Sequence, residues 1–152
     1  MELNEYEEFF GDLTESNIED WNNFDFVLSK VKQDGMALYY ASNELKDNGE
    51  IVKIAVKQKG WALYYASEKL RDNEEIVKEA VKQNGFAFQF ASENLQKEFI
   101  KKQPELIKYV NQTPELVKLA IDSGLKDKTL IKISKEELLK YISSLNKKSI
   151  KP

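Results

Sequence analysis

Gln58-Lys59-Gly60-Trp61-Ala62-Leu63-Tyr64-Tyr65-Ala66-Ser67 is the middle of three copies. Gln33-Asp34-Gly35-Met36-Ala37-Leu38-Tyr39-Tyr40-Ala41-Ser42 precedes it by 25 positions, and Gln83-Asn84-Gly85-Phe86-Ala87-Phe88-Gln89-Phe90-Ala91-Ser92 follows by the same step. A fixed period of this size marks an architecture in which each unit buries its apolar face only against its neighbours. The fold it predicts is all-α: short helical hairpins of 25-residue repeats, stacked into a small right-handed α-solenoid with N- and C-terminal capping helices.

Ahead of each glycine lies an amphipathic stretch. Ile51, Val52, Ala55 and Val56 form one apolar stripe while Lys53, Lys57 and Gln58 point away, and Ile76, Val77, Ala80 and Val81 repeat it. Stepping back 25 positions places Phe26, Val27 and Val31 in the first copy. Asp72 or Asn73 is the natural N-cap of the helix that Glu74 and Glu75 open, where their charge suits the helix dipole. Gly60 and Gly85 stand where a left-handed residue would end such a helix. The second helix of the hairpin then runs through the quoted stretch. At 100° per residue Leu63, Ala66 and Leu70 share a face, and Trp61 and Tyr65 fall almost opposite, which suits a helix held between two neighbours. On that reading Met36, Trp61 and Phe86, with Tyr40, Tyr65 and Phe90, pack between repeats.

The flanks read differently. Residues 1–25 form an N-terminal cap, with Leu3, Tyr6, Phe9 and Phe10 at helical spacing and Gly11 as a stop. Three repeats occupy 26–95, and divergent helical repeats follow over 96–133. There Thr113-Pro114 is a good helix start and Gly124 a good stop. Ser134, three residues before Glu137, has the spacing of a capping box and begins a C-terminal capping helix and tail over 134–152. The whole, 1–152, reads as one domain.

Composition narrows the function. The chain has neither cysteine nor histidine. That removes disulfides, thiolate nucleophiles, the commonest general base and the commonest zinc ligands together. Glu74 and Glu75 could only do acid–base work if burial or a close like charge shifted them, and a solvated position at a helix start argues against it. Asp47-Asn48-Gly49-Glu50 lacks the alternating ligands of a calcium loop, and no glycine has phosphate-loop spacing. The chain therefore reads as non-enzymatic, with no cofactor and no metal. No run approaches the ~20 apolar residues needed to span a bilayer, and the acidic start lacks a signal pattern, so a cytoplasmic location is the default expectation.

Charge is uneven. Residues 1–29 hold nine acids and no base, 30–96 balance at ten each, and 97–152 carry thirteen lysines against seven acids, for a net charge of −3. Dispersed lysines and a single arginine, Arg71, do not favour nucleic acid. Self-association of the acidic N-terminal end with the basic C-terminal end of another copy, in a structural or regulatory accessory role, is the second functional reading.

The unit Glu-Ile-Val-x-x-Ala-Val-Lys-Gln-x-Gly-x-Ala-Leu-x-Tyr-Ala-Ser-x-x-Leu, spanning about Phe26 to Leu95, resembles the tandem helical repeat family known as domain of unknown function 4116. The resemblance implies helical repeats and supplies no activity or catalytic residue; Phe88, Gln89 and Phe90 depart from its pattern. The first functional reading is a non-catalytic module binding a protein or peptide. Its candidate contacts are Tyr39 and Tyr64, with Asn43 and Glu68 one turn on and Gln89 at the third position. Tyrosine offers a large apolar body with a polar tip, the chemistry of a partner anchor.

Overall fold

The computed structural model describes residues 20–150 and is all-helical there, with no strand among the described residues. The expected helix through Leu3, Tyr6, Phe9, Phe10 and Gly11 lies outside the described residues. Contacts divide the chain into two compact units, one ending at Ala91 and the other beginning at Ser92.

In the first unit three ten-residue helices, α1 (Phe24–Gln33), α3 (Gly49–Gln58) and α5 (Glu74–Gln83), share one design. Asn23, Asn48 and Asn73 cap them by accepting from the backbone N–H of Phe26, Ile51 and Ile76. This satisfies donors that a helix start leaves orphaned. Each helix ends on an extended residue: Asp34 (φ −145°, ψ 117°), Lys59 (−137°, 104°) and Asn84 (−151°, 114°). The three corners therefore have the same backbone shape.

Beyond the corner the expected second α-helix is replaced by two pieces. Gly35–Tyr40, Gly60–Tyr65 and Gly85–Phe90 are 3-10 helices, η2, η3 and η4 (η1 is Asp20–Asn22). Each closes with the alanine N–H donating three residues back, as from Ala66 to the Leu63 carbonyl at 3.2 Å. Ala66 is then extended (φ −68°, ψ 156°), and Ser67 caps a separate helix, α4 (Glu68–Arg71), by accepting from Leu70 N–H. Ser42 and α2 (Asn43–Lys46) repeat this arrangement one copy earlier. Ser67 does more than stay small: its N–H donates to the Lys46 carbonyl at 2.9 Å and its hydroxyl to Asp47 Oδ1 at 2.5 Å, tying one copy to the last.

The glycines are not left-handed. Among the described residues only Gly124 has positive φ (98°). Gly35 and Gly60 are required by close approach instead: a Cβ on Gly35 would collide with the Ala55 carbonyl oxygen, and one on Gly60 would lie 2.5 Å from that of Ala80. The preceding glutamine of the motif belongs to the same contact. Gln58 Oε1 accepts from Gly35 N–H while its Nε2 donates to the Lys32 carbonyl at 2.7 Å, and Gln83 Oε1 accepts from Gly60 N–H at 2.5 Å. One side chain thus satisfies both sides of the neighbouring corner. Gln58→Ala strands a half-buried donor and an acceptor together, and is expected to cost about 2 kcal/mol in a urea titration. A loss under ~0.5 kcal/mol would show that water replaces the amide without penalty.

Packing follows. α1, α3 and α5 lie side by side, as do η2, η3 and η4; η2 and η3 each touch the α-helices of their own and the next copy, and η4 touches α5. Val27, Val31, Leu38, Ile51, Val52, Val56, Leu63, Val77 and Phe88 are sealed between the two rows. The face expected from Leu63, Ala66 and Leu70 is buried.

In the second unit, Ser92 caps α6 (Glu93–Lys102), which runs ten residues where its counterparts α2 and α4 run four. The Asp-Asn pair that ends those short helices at 47–48 and 72–73 is Lys97-Glu98 here, so nothing stops the helix and the 25-residue beat is lost. Gln103 (φ −138°) and the 3-10 helix η5 (Pro104–Tyr109) still follow. Thr113 caps α7 (Pro114–Asp122), and Gly124 closes it with the Leu125 N–H reaching the Ala120 carbonyl. After the short η6 (Lys128–Leu130), the capping box of Ser134 and Glu137 is present at the head of α8 (Lys135–Ser149).

Candidate interaction surface

A 3-10 helix has three residues per turn, so side chains three apart eclipse one another. In η3 this puts Gly60 with Leu63, Ala62 with Tyr65, and Trp61 with Tyr64. The first pair is buried, Ala62 is buried with Tyr65 half-buried above it, and the third pair faces outward. Tyr39 is 54% exposed, Trp61 44%, Tyr64 58% and Phe86 53%. Trp61 and Phe86, expected between repeats, are therefore surface residues; the 100° step of an α-helix turns them inward, and the 120° step turns them out. The 61/64 and 86/89 spacing of three is the available signal.

The second member of each pair does pack between copies. Tyr65 lies edge-on to Tyr39 at 5.2 Å and to Tyr64 at 5.2 Å, and Phe90 meets both Tyr64 and Trp61 at 5.1 Å. With Trp21 against Tyr40 at 5.1 Å, and Tyr40 against Tyr39 at 4.8 Å, the rings form one continuous line across the copies. Edge-to-face pairs hold ring orientation as well as burying area. The exposed tyrosines are thus fixed from beneath.

Of the other candidates, Asn43 and Glu68 open α2 and α4 and are exposed, with no side-chain hydrogen bond or ion pair among the described residues. Gln89 is exposed and folds back to donate to the Phe86 carbonyl at 3.0 Å. The structure joins Tyr39 and Tyr64 through Tyr65, and Gln89 to Phe86. Glu74 pairs with Lys78 on its own helix, and Glu75 bridges to Lys53 of the previous copy. That bridge lowers the Glu75 carboxyl and raises the Lys53 amine, through a hydrogen bond first and charge second. Asp47 and Asn48, in the discounted calcium loop, are taken up by Ser67 and by capping α3. Among the described residues no group of three or more acidic residues is placed to hold a metal, and no helix is long and apolar enough to cross a membrane.

Residues 23–71 and 48–96 each match the model of a family described as Domain of unknown function (DUF4116), the second match starting 25 residues after the first. Together the two matches make residues 23–96, just under half of the chain, similar to the DUF4116 family. The matched stretch holds η2, η3 and η4 and every ring of the aromatic line except Trp21. No curated protein and no solved structure matches the chain.

Proposed function

We propose that the DUF4116 segment is a small α-solenoid that serves as a non-catalytic protein- or peptide-binding module. Its contact surface is the outward row of the 3-10 helices: Tyr39, Trp61, Tyr64 and Phe86, bordered by Asn43, Glu68 and Gln89. The observation that carries this reading is the exposure of four large aromatic side chains on successive copies, two of them tyrosines whose hydroxyls have no partner among the described residues. Exposed rings held by a rigid layer lose little conformational freedom on binding, which makes them efficient anchors.

The test is selection of displayed peptides on the full chain, followed by affinity measurement against Tyr39→Ala/Tyr64→Ala. Selected peptides are expected to bind at least about tenfold more weakly to the double variant, one or more anchor contacts being lost. Equal affinity with an unchanged circular dichroism spectrum would remove this surface from the function.

A further inference from the structure

Seven residues after Tyr39 and Tyr64 stand the two cations that close the short helices, Lys46 of α2 and Arg71 of α4. The Lys46 ammonium lies 5.8 Å from the centre of the Tyr39 ring. Desolvation by burial pulls its pKa below the ordinary lysine value. Arg71 is half-buried, and its Nε is sealed from solvent without a hydrogen-bond acceptor. Neither cation has a carboxylate within ion-pair distance among the described residues.

We infer that the row of DUF4116 3-10 helices binds an acidic peptide segment, whose carboxylates meet Lys46 and Arg71 while its apolar side chains rest on Tyr39, Trp61 and Tyr64. The inference rests on the proposed binding module and names its partner's chemistry. Charge complementarity selects the occupant: a basic segment would meet two partly desolvated cations and an acidic one would satisfy them. Tyr39 and Tyr64 each lie 5.2 Å from the Tyr65 ring between them, so neighbouring anchors are about 10 Å apart at most. An extended peptide advances about 3.3 Å per residue, so residues three apart fall in step with the Tyr39 and Tyr64 anchors. Glu44 and Glu68 stand at the opposite, N-terminal ends of the same short helices, which gives the segment one favoured direction.

The experiment uses immobilised ten-residue peptides carrying leucine and tryptophan anchors, with glutamate, glutamine or lysine at every third position, probed with the labelled full chain. The glutamate set is expected to bind at least about tenfold more strongly than the glutamine set at low salt, since charge-assisted contacts exceed neutral ones by that much, and the lysine set more weakly still. In Lys46→Gln/Arg71→Gln the ratio should fall to within about twofold, with an unchanged melting curve. If the lysine or glutamine set binds the wild type equally well, and Tyr39→Ala/Tyr64→Ala weakens all sets, the acidic partner is overturned and the binding module stands. If the tyrosine variant binds every set as the wild type does, or no set binds at all, both are overturned.

Discussion

Replacing Gly60 by valine is expected to lower the unfolding free energy by about 3 kcal/mol, while Gly49→Ala raises it by about 0.5 kcal/mol. The two glycines are both non-left-handed, so a conformational argument treats them alike. Their surroundings differ. A Cβ on Gly60 meets the Ala80 carbonyl at 2.5 Å and Gln83 Oε1 at 3.0 Å, the first of these being backbone of a buried helix that cannot swing aside. Relief would have to push neighbouring copies apart, losing the bond from Gly60 N–H to Gln83 as well. Gly49 is the first residue of α3 with nothing within 4 Å of an added methyl. There alanine only reduces the freedom of the unfolded chain and improves helix propensity. Urea denaturation of the two variants checks the signs; a neutral Gly60→Val would mean that the copies are not in this close contact.

The second large effect separates the two helical registers. Leu63→Ala is expected to cost about 3 kcal/mol, because Leu63 is fully buried between the rows of helices and its removal leaves a cavity. Trp61→Ala, a larger deletion, is expected to cost only about 1 kcal/mol, since Trp61 is exposed and its ring contact is with Phe90. In an α-helix held on both sides Trp61 would be buried, and its loss would cost ~3–5 kcal/mol. Thermal or urea unfolding of both variants gives the order; a Trp61 loss exceeding the Leu63 loss would reject the 3-10 register.

Much of this architecture is legible before any coordinates. The ten-residue helices come from their apolar stripes, with the cap of α5 narrowed to Asp72 or Asn73; the Asn48 cap of α3 shows only in the structure. The stop at Gly124, the start at Thr113-Pro114 and the box at Ser134 and Glu137 follow from local backbone chemistry, which depends on residues a few positions apart. The candidate surface is half legible: Tyr39 and Tyr64 are outward as their spacing suggests. Trp61 and Phe86 read as inward on α-helical geometry, since a six-residue segment does not declare whether it turns by 100° or 120° per residue.

The amino-acid sequence alone determined the all-helical class, the three matching corners and the helix starts at Thr113 and Ser134, because these depend on propensities and hydrogen bonds within a turn or two of chain. Tertiary structure decided why the corners need glycine, which glutamine serves which corner, and which rings face solvent. Those outcomes depend on a carbonyl twenty residues away and an amide donor twenty-three residues back, and contacts at that range arise only when one copy packs against the next.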